Sequence, residues 1–258
     1  MTTIIDVGPW SKTMIKLLSL ETATDRGGFC LWSGQLVAGQ LSAAAVESVT
    51  CPSGQPHAET LLPLLRGALA ELGWHLNDLD AIVYDAGPGM FTGLRVAAAL
   101  AQGLAVACDK PLVAVSSLEA LAESAYQLTG ANHVLTLLDA RMNQIYAAAW
   151  RRQPDHTWEA DFAPRLVDPH ELAALPIQAG CQSVAGTALD VYTSVAIWCK
   201  DAGLVDAQIR HPAAEALARV GSQRFIRGER LDPAAALPIY VRDRVALTTA
   251  ERMAGLSL

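Results

Sequence analysis

The chain has 258 residues, 52% of them hydrophobic and 17% charged, which is enough apolar material for one large domain or two smaller ones sharing a core. A formal net charge of −7 speaks against a self-sufficient nucleic-acid binder, because neutralising phosphates takes a concentrated basic face and no basic run is present. The five cysteines, Cys30, Cys51, Cys108, Cys181 and Cys199, are scattered without a C-x-x-C pair, which fits a reducing, cytoplasmic compartment rather than a disulfide framework or a metal knuckle.

Residues 1–13 carry neither an apolar h-region nor a cleavage site, so they read as a loose extension rather than a secretory signal. No apolar run reaches bilayer length, since Gln102 and the Asp109-Lys110-Pro111 break end the longest candidate. Residues 15–20 read as a strand that runs into the polar turn Glu21-Thr22-Ala23-Thr24-Asp25. Residues 28–32 and 35–40 read as a hairpin turning at Ser33-Gly34, which starts the sheet antiparallel. From His57 to Trp74 the leucines at 61, 62, 65, 69 and 72 recur at helical spacing, and Pro63 should kink this helix or mark its first turns.

A short apolar strand at 81–84 leads into Asp85-Ala86-Gly87-Pro88-Gly89-Met90-Phe91-Thr92-Gly93-Leu94-Arg95, a glycine-rich turn before a small-residue helix at about 93–107. Its glycines remove side chains where the backbone must bend, and a helix N-terminus attracts anions. The segment is therefore either a tight strand-to-helix turn or a phosphate-facing loop, the latter made of Thr22, Gly87, Gly89, Thr92 and Gly93. A strand at 112–115 follows, then a helix to about Leu128 capped by Ser116 or Ser117, with Glu119 in its first turn. The order β-β-β-α-β-α-β-α is that of the ribonuclease-H-like unit in actin-type ATPases and sugar kinases.

Beyond Asn132 the pattern is less regular: strands at 134–139 and 144–150 about Arg141-Met142-Asn143, a loop or edge strand at 151–163, and helices at 189–199 and 213–227. The expected architecture is α/β, of the actin-like ATPase or ribonuclease-H-like type, with two subdomains whose mixed central sheets are flanked by helices. Their expected bounds are 14–115 and 116–241, followed by a mobile tail at 242–258.

Residues 15–24, 57–65 and 87–118, together with Asp139-Ala140-Arg141-Met142-Asn143-Gln144-Ile145-Tyr146 and Pro238-Ile239-Tyr240-Val241-Arg242, resemble the TsaB (YeaZ) family over nearly the whole chain after Met14. That resemblance implies a partner subunit, not an enzyme on its own, in the bacterial machinery that makes N6-threonylcarbamoyladenosine at position 37 of tRNA. It implies docking on the catalytic paralogue TsaD, a third member in the small ATPase TsaE, TsaC as the supplier of the adenylate, and a homodimer when the partner is absent. It also implies tRNA contact only through the complex, no membrane, and no cofactor held by this chain itself, with ATP or ADP and a metal ion entering through the partners.

TsaD carries a His-x-Glu-Gly-His metal-binding segment, where this chain has Ser117-Leu118-Glu119-Ala120-Leu121 and so loses both imidazoles. Glu21 stands where the family usually has Asp, and Asp85-Ala86 where it often has Gly-Arg, so phosphate near the loop meets an added negative charge and one fewer cation. His57 with Glu59 opens a helix and reads as a cap or a solvent-facing pair more readily than as a base. His75, His133, His156, His170 and His211 show no ligand spacing, Asp139 with Arg141 reads as a local ion pair or an interface element, and Ser116 and Ser117 lack a nucleophile elbow. A stand-alone ATP-dependent phosphotransferase of the sugar-kinase type stays open as the alternative, and a metallopeptidase ranks third.

Leucines and alanines on the two N-terminal helices are more than one sheet face can bury, unless the protein's own layers sandwich both helices. The resemblance implies that these helices form the bundle with TsaD or a second copy, through His57, Leu61, Leu62, Leu65, Leu69, Leu94, Ala97, Ala98 and Ala101.

Overall fold

The computed structural model describes residues 14–37 and 40–242, and every structural statement below refers to these. The expected N-terminal extension and nearly all of the expected tail lie outside the described residues.

Strands β1 (Met14–Glu21), β2 (Gly28–Val37) and β3 (Gln40–Thr50) form an antiparallel meander. Helix α1 (His57–Leu72) leads to β4 (Ala81–Gly87), α2 (Phe91–Cys108), β5 (Leu112–Ser116) and α3 (Ser117–Thr129). β4 pairs parallel with β1, and β5 parallel with β4, giving the sheet order β3-β2-β1-β4-β5. The α1 and α2 crossovers account for the parallel half, since parallel neighbours need a long connection.

The second sheet, ordered β11-β10-β6-β7-β8, is built from β6 (His133–Asp139), β7 (Ile145–Arg152), β8 (Trp158–Ala160), β10 (Ser183–Ala185) and β11 (Val205–Asp206), with β9 (Arg165–Val167) pairing β7. Helices α4 (Ala188–Val191) and α5 (Thr193–Asp201) cover it, and α6 (Ala214–Ile226) returns to the first sheet. The architecture is mixed α/β with two helix-flanked sheets, as the element order implied.

Alternation along the strands sorts the first sheet's two faces. Leu18, Leu20, Ile82 and Tyr84 pack on Leu61, Leu65 and Leu69 of α1 and on Ala98, Ala101 and Ala105 of α2. Ile15, Leu17, Val83 and Val113 face α6, where Gly221 lets the backbone approach so closely that a Cβ would stand 2.5 Å from Val83. Helix α3 lies between the sheets, with Leu121 and Ala125 packed on Val134 and Ala148 of the second. A segment assigned by sequence to the second subdomain thus closes one face of the first.

Three local readings are corrected. β2 runs through Ser33-Gly34 as one strand with a register shift, because Gly34 leaves the space that the Trp32 ring fills, a Cβ there lying 2.0 Å from it. β3 accordingly covers an alanine-rich stretch that the hairpin reading left without structure. The single helix expected at 189–199 breaks at Tyr192, whose backbone is extended, into α4 and α5. Finally, α2 has by length and composition what a membrane span needs, contrary to the stop expected at Gln102, yet its Ala97, Ala101 and Ala105 side is buried on the protein's own sheet, as in a core helix.

Candidate functional site

Between the two sheets opens a cleft of about 360 Å³, bounded by the β1–β2 turn, the start of α2, the β6–β7 turn and the segment 239–242. Thr24 and Asp25 face it from one side, and Asp139 and Arg141 from the other. The charges across it are largely spoken for. Arg141 lies 3.3 Å from Asp139, which also accepts the Tyr192 hydroxyl at 2.7 Å. Burial, reinforced by Asp139, pushes the Tyr192 phenol up to about 12, so it remains a donor. Arg242 donates to the Ala140 carbonyl at 2.9 Å, pinning the β6–β7 turn.

The glycine-rich loop serves close packing. A Cβ on Gly93 would stand 1.8 Å from the Thr22 carbonyl oxygen, one on Gly89 2.6 Å from Ala23, and one on Gly87 2.8 Å from Leu94. Thr22 is buried and spends its hydroxyl on the Gly93 carbonyl at 2.6 Å. Of the five residues read as phosphate-facing, Gly89 lines the cleft, Thr92 opens onto a different groove, and Thr22, Gly87 and Gly93 are buried behind.

Asp85 does not project beside the loop as its sequence position suggested. It is turned inward, where its Oδ1 accepts the Ser117 hydroxyl at 2.6 Å and the Gly87 N–H at 2.7 Å. Burial raises its carboxyl to about 7 and also raises that of Glu21 well above the ordinary range, with Asp85 adding to the Glu21 shift. His57 donates from Nε2 to the Thr24 carbonyl at 3.0 Å, fastening the start of α1 to the β1–β2 turn. His133 is buried against Asp161 at 2.8 Å. His170, read as isolated, groups with Asp168 and Glu171, but this set is solvent-facing and belongs to a local helix cap in which Glu171 accepts the Asp168 N–H at 3.3 Å.

A second concavity, of about 550 Å³, runs between α1 and α2 and is lined by Ala58, Leu62, Phe91, Arg95, Val96 and Leu100, among others. Leu62 is 43% exposed and Phe91 40%, both large for apolar side chains. Of the nine residues assigned to an interface, Leu62 alone is exposed and His57 is half-buried; Leu61, Leu65, Leu69, Leu94, Ala97, Ala98 and Ala101 are buried in the protein's own core. The exposed faces lie one helical step away. Thr92, Val96 and Leu100, spaced by four, carried that signal in the sequence but stand beside a more continuous apolar stripe.

Residues 52–246 match the family model described as TsaD, tRNA N6-adenosine threonylcarbamoyltransferase. The tRNA threonylcarbamoyladenosine biosynthesis protein TsaB of Escherichia coli is 30% identical over 237 residues, covering 90% of this chain and 96% of that protein. The TsaB of Haemophilus influenzae is 31% identical, covering 73% and 81% of the two chains. The structure of YeaZ from Pseudomonas aeruginosa superposes with a TM-score of 0.68 at 31% identity, covering 88% of this chain and 99% of that one. The chain belongs to the TsaB (YeaZ) family.

In this TsaB-family chain Ser117 and Leu121, where the resemblance implied the TsaD histidines, are taken up by internal contacts. Ser117 bonds to Asp85, Leu121 is fully buried, and Glu119 between them pairs with Arg224 of α6. Burial raises the Glu119 carboxyl to about 7 even though Arg224 opposes the shift.

Proposed function

We propose that this chain is a non-catalytic partner subunit in tRNA threonylcarbamoyladenosine formation, seated through the α1/α2 groove on the metal-bearing paralogue TsaD and supporting threonylcarbamoyl transfer to adenosine 37 of tRNA. The observation that carries the reading is an apolar two-helix groove left open to solvent, with Leu62 and Phe91 exposed, in a chain of the TsaB family. Two further features support it. Ser117, Glu119 and Leu121 are engaged inside the fold, and a net charge of −7 leaves tRNA contact to other members of the complex, among them a TsaE-like ATPase.

In the cytoplasm the same groove pairs two copies of the chain when TsaD is absent. The test is to mix the chain with its TsaD paralogue, follow association by size-exclusion chromatography, and assay tRNA modification with and without it. Association with raised activity is expected; no association and unchanged activity overturns the reading. The sugar-kinase-type alternative rests on the interdomain cleft, and calorimetry of the isolated chain with ATP and Mg²⁺ separates the two, since micromolar binding favours the kinase.

A further inference from the structure

Two carboxylates meet at the end of the first sheet with no cation between them. Leu20 of β1 stands beside Tyr84 of β4, so the next residues, Glu21 and Asp85, are neighbours on parallel strands. They continue the alternate positions of Ile15 and Leu17, and of Ala81 and Val83, that face α6 and α3. Glu21 is 1% exposed and Asp85 0%. Glu21 Oε1 accepts the Ala23 N–H at 2.7 Å, and Asp85 Oδ1 holds Ser117 and Gly87, whereas Asp85 Oδ2 is buried with no hydrogen-bond partner among the described residues.

Among the described residues, the cations nearest the pair lie in or against the β1–β2 turn, where Arg26 is exposed and His211 faces Asp25 at 3.8 Å, and the charged groups of the packed strands and helices are engaged elsewhere. β2 and β5 contain none, and Lys16, at the far end of β1, is near Asp78. The Arg95 guanidinium of α2 lies on the Phe91 ring. In α3, Glu119 pairs with Arg224 and Glu123 with Arg152. In α6, Glu215 pairs with Arg219. Asp25, in the turn after β1, adds a further negative charge.

We propose that Glu21 and Asp85 share one proton, Glu21 as the acid donating to the otherwise unpartnered Oδ2 of an ionised Asp85. Two buried like charges on neighbouring strands disfavour each other's ionisation, and the shared proton removes one of them. Asp85 is the carboxylate because it holds the Ser117 hydroxyl at the N-terminus of α3, where the helix dipole favours an anion, whereas Glu21 is held only by the backbone of its own turn. Glu21 and Asp85 also anchor, through Ala23 and Gly87, the two loops on which α2 begins. A proton thus sits behind the turn and the loop whose residues Ala23 and Pro88 line the cleft. When it leaves at alkaline pH, repulsion falls on those two loops.

The sign follows from the raised carboxyls. The folded chain holds a proton that the unfolded chain releases above the ordinary carboxylate range, so stability falls as pH rises, by up to about tenfold in the folding constant per pH unit for each proton involved. The full-length chain is examined by infrared spectroscopy at neutral pH, and its unfolding midpoint is followed from mildly acid to mildly alkaline pH. The expected result is a protonated-carboxyl band that Glu21→Gln removes and a fall in midpoint with pH that Asp85→Asn flattens. A band unaffected by Glu21→Gln overturns the proposal, as does an equal slope in Asp85→Asn and the parent chain. A stoichiometric divalent cation that Asp85→Asn releases also overturns it. If Glu21→Gln fails to fold, the slope comparison with Asp85→Asn decides.

Discussion

Thr22 and Gly93 are locked face to face: the Thr22 hydroxyl donates to the Gly93 carbonyl at 2.6 Å, and any Cβ on Gly93 would stand 1.8 Å from the Thr22 carbonyl oxygen. The glycine at this point is thereby explained by backbone-to-backbone approach between the turn that follows β1 and the first turn of α2. Gly93→Ala must push the helix off the strand, an overpacking cost of about 3 kcal/mol or more. Gly103, in the same helix, has nothing within 4 Å of its would-be Cβ, and Gly103→Ala should stabilise by about 0.5–1 kcal/mol. Denaturant midpoints of the two variants, moving in opposite directions, check the contrast.

Leu62 and Leu65 sit three residues apart on α1 but have opposite surroundings, Leu62 being 43% exposed and Leu65 1%. Leu65→Ala opens a hole in the core and should cost about 2–5 kcal/mol of stability. Leu62→Arg should leave stability within about 0.5 kcal/mol and weaken association through the groove about tenfold or more. Thermal unfolding reports the first effect and analytical ultracentrifugation the second. A Leu62→Arg chain that associates as the parent does would move the interface elsewhere.

The sequence revealed the elements of the fold better than their faces. The β4-α2-β5-α3 run was legible because apolar strands, a glycine break and the Ser116 cap, whose hydroxyl accepts the Leu118 N–H at 3.3 Å, agree with one another. β3 was not, since the Leu41-Ser42-Ala43-Ala44-Ala45 stretch has little β-branched character and takes its structure from pairing with β2. The glycine at 34 looked like a turn because nothing local announces that Trp32 folds over it. At the groove, periodicity marks which face of α2 is most apolar, and that face belongs to the protein's own sheet. The exposed face, around Phe91 and Arg95, emerges only once the layers are assembled. Likewise Asp85 reads as a charge at the loop until the strand's alternation turns it inward.

Arg141, Met142 and Asn143 occupy left-handed backbone in succession, with φ of 62°, 54° and 55°. Each costs free energy for a residue with a Cβ, and the turn is kept by Asp139 accepting the Arg141 N–H at 2.9 Å and by Arg242 bonding to the Ala140 carbonyl. Met142 is 52% exposed, and truncation removes little beyond the weak acceptor that its Sδ offers Arg242 Nη1 at 2.8 Å. Met142→Gly should therefore raise stability by about 1 kcal/mol, whereas Arg242→Ala should lower it by a similar amount and speed hydrogen exchange of the 140–144 amides. Denaturation and exchange mass spectrometry measure both.

Asp161, just after β8 of the second sheet, gathers three donors: His133 Nε2 at 2.8 Å, Arg151 Nε at 2.8 Å and the Gln178 N–H at 2.9 Å. Burial pushes its carboxyl up, but the Gln178 N–H, His133 and Arg151 together outweigh that and hold it below the usual carboxylate range. A depressed carboxyl stabilises the fold above the unfolded-state value, and the contribution is lost as pH falls through the folded-state value. Asp161→Asn should therefore cost about 2 kcal/mol at neutral pH, since donors to a charged acceptor lose their partner. The gap between variant and parent should narrow as the solution is taken below the ordinary aspartate range, where the parent's own carboxyl becomes protonated. This is the opposite pH dependence to that of the Glu21 and Asp85 pair, so the two effects separate in one series of denaturation curves. A gap that stays constant into acid would show that Asp161 acts through its shape rather than its charge.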